Sequence, residues 1–304
     1  MQRSKPARSF KFRSSSIPAT SSASTRATGA TSAASERKRA THIQHEYWIY
    51  AGLFVAGLGA SIFGSMVGLG GGFIIVPVLR LFFGLAPAEA SGTSLALVIA
   101  NSGSGAFTYL LQRRVHVRIG LLIAAAGFPG SILGAVAVKH LPAHVFDWLF
   151  AAFLIAVAGD IIFNREKRLR HRDEHADVRT ILGMPWYASL AAGFGVGFIS
   201  SLFGVGGGVV LVPSLLYFSD LPAHAISATS HFGIVLTSPI GFVTHYLQND
   251  VNWKDVLPLV AGGLLGGPIG ARLSLKLKSN RLMIFVAAAL VVAAFALVLR
   301  HVIG

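Results

Sequence analysis

The sequence contains no cysteine, which excludes disulfides, a thiolate nucleophile and any cysteine-ligated zinc or iron–sulfur site. Charged residues are also scarce: they make up 12% of the 304 residues, against about 25% in a typical soluble domain. Hydrophobic residues make up 53%, and the mean hydropathy is +0.65. This composition excludes an ordinary soluble domain and indicates a chain that lies in a lipid bilayer.

Acidic side chains are missing from the middle of every predicted helix. Those nearest the apolar segments all lie at segment ends: Glu89, Asp147, Asp160, Asp220, Asp250 and Asp255. Because a cation pathway through a membrane usually needs buried carboxylates, their absence favours an anionic or neutral substrate. If transport is coupled to a proton, His231 and His245 are the titratable side chains inside the apolar segments.

The net charge of +14 is concentrated in two places. Nine of the 26 basic residues precede the first apolar run, and six lie between Arg165 and Arg179. This is the distribution of a membrane protein with its basic segments on the cytoplasmic side. No folded basic module is present to bind nucleic acid, so no nucleic-acid partner is expected.

The charge pattern also divides the chain. Residues 1–45 are predicted to be a disordered basic tail, which is either a plain cytoplasmic tail or an organelle transit peptide. Residues 46–164 form a first transmembrane repeat, residues 165–183 a basic cytoplasmic linker, and residues 184–304 a second transmembrane repeat. The expected location is the cell membrane, the inner membrane in a bacterium, or an organelle membrane if the tail is a transit peptide.

A glycine motif occurs twice. Gly68 to Pro77 reads GLGGGFIIVP, and Gly204 to Pro213 reads GVGGGVVLVP, 136 positions later. Thr93-Ser94 matches Thr229-Ser230 at the same displacement. The matches predict an internal duplication. We therefore expect an all-α polytopic membrane protein with two repeats of about four transmembrane helices each, whose helices are broken or re-entrant at the glycine motifs.

The relation between the two repeats depends on how often each half crosses the bilayer. Four net crossings per half make the repeats parallel, and five make them inverted. With the basic tail inside, four crossings also place Arg113, Arg114, Arg118 and the linker inside. The charge distribution therefore favours the parallel arrangement, although it leaves Arg272, Lys276, Lys278 and Arg281 outside.

The glycine motifs offer chemistry through the backbone. A helix that restarts inside a membrane exposes N–H groups without partners at its positive end, and such an end attracts an anion. The predicted substrate-binding residues are Gly70, Gly71, Gly72, Gly206, Gly207 and Gly208, with Thr93, Ser94, Thr229, Ser230 and His231. Pro77 and Pro213 are predicted to bend or end the short helices. Alternatively, the glycines only permit close helix crossing, and the hydroxyls bond to their own helix.

No catalytic set is evident, so no enzyme, cofactor or metal site is predicted. His231 and His245 are 14 residues apart and do not form an i, i+4 metal pair. Gly68 to Phe73 lacks the last glycine of the dinucleotide fingerprint. Gly92-Thr93-Ser94-Leu95-Ala96 lacks the second glycine of a nucleophile elbow.

The chain resembles the sulfite exporter TauE/SafE family of membrane permeases. The resemblance is carried by the two glycine motifs and by the segments Pro87 to Ser94 and Pro222 to Ser230. It implies a secondary transporter, expected to be an exporter, of small sulfur-containing or organic anions such as sulfite or sulfonates. The alternative is a membrane scaffold that recruits a partner through its basic tail and linker. Oligomeric state, substrate identity and direction are left open.

Overall fold

The computed structural model describes residue 44 and residues 46–163, 186–219, 221, 223–274 and 280–303. The chain divides into two units, Met1–Ile49 and Tyr50–Gly304. In the first unit only residue 44 and the start of one helix, residues 46–49, are described, and all the other described residues belong to the second unit. Except for residue 44, the predicted tail lies outside the described residues, and so does the predicted linker at residues 165–183.

The described part of the chain contains ten helices and no strand. The first half contains α1 (Glu46–Val67), α2 (Gly72–Phe82), α3 (Pro87–Leu111), α4 (Val117–Lys139) and α5 (Ala143–Phe163). The second half contains α6 (Trp186–Phe203), α7 (Gly208–Phe218), α8 (Ala223–Leu247), α9 (Trp253–Leu273) and α10 (Asn280–Ile303). The prediction of an all-α fold is confirmed.

The predicted helix interruptions are confirmed at both glycine motifs. The chain leaves α1 at Val67 and resumes as α2 at Gly72, and it leaves α6 at Phe203 and resumes as α7 at Gly208. The short helices α2 and α7 each contain 11 residues, and α3 and α8 each contain 25. Helix α7 begins 136 positions after α2, and α8 begins 136 positions after α3. The matching bounds favour the predicted duplication.

The two motif prolines lie inside the short helices. Pro77 is within α2, which continues to Phe82, and Pro213 is within α7, which continues to Phe218. The prolines therefore do not end these helices. Each removes one backbone donor and leaves the carbonyl four residues earlier without its helical partner.

Glycines bring four of the long helices into direct backbone contact. A Cβ on Gly134 would overlap the carbonyl oxygen of Phe198, which places α4 against α6. A Cβ on Gly270 would likewise overlap the carbonyl oxygen of Ile62, which places α9 against α1. In lipid, such close approach is a main source of helix association because apolar surface gains nothing by leaving the acyl chains.

The directions of the helices can be read from the residues that meet. Helices α3 and α8 are antiparallel, since Gly92 lies against His245 at one end and Gly105 against His231 at the other. Helices α1 and α3 are parallel, since Gly57 lies beside Leu97 and Ser65 bonds to Asn101. The short helix α2 therefore returns the chain to the side on which α1 began.

The sequence-matched helices α3 and α8 thus run in opposite directions, as an inverted pair would. Each half contains five described helices, of which the second is short. The parallel arrangement with four net crossings, which the charge distribution favours, is wrong because α2 adds a return pass.

These directions gather basic residues at one face. Arg113, Arg114 and Arg118 lie at the end of α3 and the start of α4. Helix α9 runs parallel to α3, because Gly263 lies beside Leu97 and Gly267 beside Ser104, so Arg272 reaches the same face. Arg272 thus lies on the face of Arg113, Arg114 and Arg118, and α3 starts on the opposite face.

Seven of the described helices are long and apolar enough to cross a membrane: α1, α3, α4, α5, α6, α8 and α9. Their outer surfaces carry exposed apolar side chains, and exposed tryptophans lie near helix starts at Trp148, Trp186 and Trp253. Trp148 and Trp253 lie toward one face and Trp186 toward the other. This is the placement of aromatic anchors at two membrane interfaces.

Candidate functional site

The two glycine loops, residues 68–71 and 204–207, have matching backbone conformations. Gly68, Gly70 and Gly71 have φ values of 89°, 87° and 83°. Their counterparts Gly204, Gly206 and Gly207 have φ values of 68°, 84° and 67°. Side chains with a Cβ are disfavoured at positive φ. Each loop therefore needs glycine at three positions to reverse direction inside the bundle.

The two loops also touch each other. A Cβ on Gly72 would overlap the carbonyl oxygen of Gly204, and one on Gly208 would overlap that of Gly68. Gly70 lies more openly, with the Val205 carbonyl oxygen 3.5 Å from the position of its Cβ. The glycines thus serve close approach between the halves, which was the structural alternative, and the side chains of Val98 and Ile234 pack against them.

Several loop amides have no backbone acceptor in the described part of the chain. Gly68 and Leu69 both donate their N–H groups to the Gly64 carbonyl oxygen, at 2.8 Å each. Among the described residues, no backbone acceptor pairs with the N–H groups of Gly70, Gly71 and Gly72, nor with those of Gly206 and Gly207. These amides lie at the starts of α2 and α7, where the helix dipole is positive. The predicted anion site at these glycines remains a prediction.

The predicted serines bond across the two halves. Ser94 Oγ donates to the Gly204 carbonyl oxygen at 2.8 Å, and Ser230 Oγ donates to the Gly68 carbonyl oxygen at 2.8 Å. Each serine therefore holds the glycine loop of the other half. In this arrangement the hydroxyl protons of the two serines point to the loop backbone. These bonds hold the loops to α3 and α8.

The predicted threonines accept bonds from the chain that precedes two long helices. Thr229 Oγ1 accepts from the His116 backbone N–H at 3.0 Å, and Thr93 Oγ1 accepts from the Asn252 backbone N–H at 2.9 Å. His116 and Asn252 are the N-caps of α4 and α9. Thr93 and Thr229 thus connect α3 and α8 to the cap residues of α9 and α4.

His231 belongs to a fully buried polar network beside the first glycine loop. Its Nε2 lies 3.1 Å from Ser65 Oγ, and Ser65 Oγ lies 2.8 Å from Asn101 Oδ1. Asn101 Nδ2 donates to the Gly70 carbonyl oxygen at 2.9 Å. Tyr109 closes the network: its hydroxyl donates to the Ser65 carbonyl oxygen at 2.8 Å, and its ring meets that of His231 edge to face.

His245 lies in the equivalent place near the second glycine loop and makes simpler contacts. It stands 136 positions after Tyr109, and its Nε2 lies 2.9 Å from the Ser201 carbonyl oxygen. The Tyr109 hydroxyl makes the corresponding contact, at 2.8 Å, with the Ser65 carbonyl oxygen. His245 Nδ1 has no partner among the described residues. His245 therefore serves as a structural donor.

A buried ion pair that sequence reasoning did not single out holds α2 against α5. Arg80 Nε donates to Asp147 Oδ1 at 2.9 Å, and Arg80 Nη2 donates to Oδ2 at 2.6 Å. Arg80 Nη1 also donates to the Leu85 carbonyl oxygen, and Arg300 donates to the Arg80 carbonyl oxygen. An arginine within the apolar run Val78 to Phe82 is costly in lipid without a partner, and that cost is the sequence signal that could have revealed the pair.

The helices and loops together define the class of protein. Apolar helices of membrane-spanning length, paired interruptions and a buried polar centre are features of a multi-pass α-helical membrane protein that acts on a solute within the bilayer.

The chain belongs to the sulfite exporter TauE/SafE family, whose sequence profile matches residues 53–297. It is a membrane transporter of that type. It is 33% identical over 247 residues to the probable membrane transporter protein YunE of Bacillus subtilis, covering 76% of this chain and 90% of YunE. It is also 30% identical over 203 residues to the probable membrane transporter protein MJ0441 of Methanocaldococcus jannaschii, covering 65% of this chain and 72% of that protein. No solved structure matches the chain.

Proposed function

We propose that this transporter moves small sulfur-containing or organic anions, such as sulfite or sulfonates, across the cell membrane by alternating access between its two halves. It acts on the solute without a catalytic step. The observation that carries the proposal is the set of loop amides at the starts of α2 and α7 that have no backbone acceptor among the described residues, those of Gly70, Gly71, Gly72, Gly206 and Gly207. Unpaired backbone donors at a positive helix end bind anions, and a buried donor without a partner is costly.

In this proposal the contact between the two glycine loops opens and closes during transport. Gly72 touches the Gly204 carbonyl and Gly208 touches the Gly68 carbonyl, so an anion reaches these amides only when the loops separate. Because equivalent elements of inverted halves exchange environments in such transporters, separation on one side and contact on the other expose the site alternately.

The test is flux into vesicles that contain the purified protein. Radiolabelled sulfite, sulfoacetate and sulfate are offered with choline as a cationic control. We expect saturable uptake of at least one sulfur anion, no choline uptake, and loss of uptake in Gly72→Ala, whose Cβ overlaps Gly204. Gly103→Ala is the matched control, because its Cβ would have 3.6 Å to the nearest atom.

Deleting residues 1–44 separates transport from scaffolding. A transporter retains anion flux without this segment, whereas a scaffold acting through its tail loses its function. Absence of flux for every anion in the full-length protein would overturn the proposal.

A further inference from the structure

The chain of polar contacts that includes Ser65, Asn101 and His231 begins and ends at backbone carbonyls. His231 Nδ1 lies 3.1 Å from the Ser227 carbonyl oxygen, and Asn101 Nδ2 lies 2.9 Å from the Gly70 carbonyl oxygen. A carbonyl oxygen accepts and never donates. Both terminal contacts therefore take their proton from the side chain, which fixes the roles of the atoms between them.

The orientation of Asn101 is set by the first of these carbonyls. Its Nδ2 faces the Gly70 carbonyl, so the other amide atom, Oδ1, faces Ser65 Oγ at 2.8 Å as an acceptor. The Ser65 hydroxyl must supply the proton for that contact. A hydroxyl has one proton, so Ser65 has none left to donate to His231.

The remaining contact, 3.1 Å between Ser65 Oγ and His231 Nε2, then takes its proton from the imidazole. His231 Nδ1 faces the Ser227 carbonyl oxygen, so both contacts of the ring are made only when both ring nitrogens carry a proton. A neutral imidazole carries only one. The three contacts between Ser227 and Asn101 are thus all satisfied when His231 is an imidazolium, and one is unmade when it is neutral.

His245 provides an internal comparison. The only hydrogen bond of its side chain among the described residues is Nε2 to the Ser201 carbonyl oxygen at 2.9 Å, and its Nδ1 has no partner there. One ring proton satisfies this arrangement. The two buried histidines therefore differ in the number of protons that their surroundings accept.

No carboxylate contacts the His231 ring within the part of the chain that the structure describes. The side chains that face it from α1 and α3 are Ser65, Asn101 and Tyr109, and α7 carries no charged residue. Arg114 lies behind the Tyr109 ring at 5.2 Å, and the His116 backbone bonds to nearby Thr229. A buried imidazolium in such surroundings needs a negative charge that the protein does not supply.

We propose that His231 is the site of a coupled proton, which enters the transport cycle together with the anion. The proposal rests on the proposed function, since the anion at the loop amides is the countercharge. Asn101 links the two, because it bonds both to Ser65 and to the carbonyl of Gly70 in the first glycine loop. Each ligand then favours binding of the other by the same factor.

The first experiment reads the proton directly and needs no transport. Protein labelled with ¹⁵N in its histidine rings is placed in lipid nanodiscs at pH 7.5 with excess sulfoacetate as the anion, and the spectra of His231→Gln and His245→Gln assign the two rings by difference. We expect two ring N–H signals for His231 and one for His245. In Ser65→Ala, which removes the acceptor of Nε2, His231 should show a single N–H signal.

The second experiment measures coupling in vesicles with the membrane potential clamped at zero. The probe is sulfoacetate, which stays ionised between pH 6 and 8. One proton per anion predicts about tenfold accumulation for each pH unit of an outside-acid gradient, since that gradient supplies the free energy of a tenfold concentration ratio. His231→Gln should lose the accumulation, and His245→Gln should retain it.

The outcomes separate the two proposals. A neutral His231 in the spectra, or accumulation that ignores the pH gradient in the wild-type protein, overturns proton coupling while leaving anion transport intact. Absence of flux for every anion overturns the proposed function, and the spectra still decide whether His231 holds the proton.

Discussion

Replacing Arg80 by methionine measures how strongly its ion pair holds the short helix α2. The Arg80 side chain is 4% exposed and the Asp147 side chain 0%, and two hydrogen bonds of 2.9 and 2.6 Å join them. Methionine fills a similar volume, so the substitution removes the charge, the two donors to Asp147 and the donor to the Leu85 carbonyl with little loss of packing. Arg300 bonds to the backbone of residue 80, so that contact remains.

The expected loss of stability is large because one charge stays behind. Removing one partner of a buried ion pair costs about 3–5 kcal/mol, whereas replacing both partners by apolar side chains is often neutral. For a unit of roughly 250 residues, about 2–4 °C in melting temperature corresponds to each kcal/mol. Arg80→Met should therefore melt about 6–20 °C below the wild-type protein, and the double variant Arg80→Met with Asp147→Leu should recover most of the difference.

The assay is the thermal change in tryptophan fluorescence of purified protein in detergent, since the chain has four tryptophans and no cysteine for a thiol dye. Lys139→Met is the control, because exposed Lys139 makes one hydrogen bond, to the Gln248 carbonyl. If Arg80→Met melts within about 2 °C of wild type, or if the double variant melts no higher than the single one, the ion pair does not hold α2 as argued.

Three further predictions test the loops, a cap and the direction of the helices. Gly72→Ala should lower the melting temperature well below that of Gly103→Ala, because only the first Cβ overlaps a backbone carbonyl; equal melting temperatures would contradict the contact. Burial lowers the pKa of His116, whose Nδ1 accepts from the Ile119 N–H as the cap of α4. This contribution is present above the unfolded pKa of about 6.5 and is lost as pH falls, so His116→Asn should melt with less pH dependence between pH 7.5 and 5. Finally, single cysteines at positions 118 and 139 should react with an impermeant maleimide from opposite faces of sealed vesicles; labelling from one face would refute the helix directions.

Helix positions could be predicted from the sequence because lipid imposes a simple rule. Apolar runs of span length became α3, α4 and α5, and glycine clusters within such runs became interruptions. The number of passes could not be predicted in the same way. It depends on whether α2 turns back beside α1, and that is decided by contacts such as Gly71 against the Ala60 carbonyl.

The candidate site was predicted only in part, because its geometry depends on contacts between distant segments. The sequence identified Ser94 and Ser230 as polar groups in apolar helices, but their acceptors lie 110 and 162 residues away. Nothing local indicates that each holds the opposite glycine loop. The Ser65, Asn101 and His231 network joins three helices in the same way, so its proton count could not be obtained from spacing.

The distribution of matched and unmatched residues between the halves bears on mechanism. Residues that bond to the other half occur in matched pairs: Ser94 with Ser230, and Thr93 with Thr229. When inverted halves exchange environments during transport, such pairs provide the same support in both states. Ser65 of the polar network also has a match, Ser201, but His231, Asn101 and Arg80 have none. His231 corresponds to Leu95, Asn101 to Thr237, and Arg80 to Leu216.

An unmatched ionisable group interacts with the two states of an alternating bundle differently, and only a differential interaction can shift an equilibrium between states. His231 fulfils that condition near the first glycine loop, since Leu95, its counterpart in the other half, carries no proton. Introducing histidine at Leu95 would restore the match. If proton coupling depends on asymmetry, Leu95→His should reduce the pH-driven accumulation ratio while exchange continues, and an unchanged ratio would show that asymmetry is not what couples the proton.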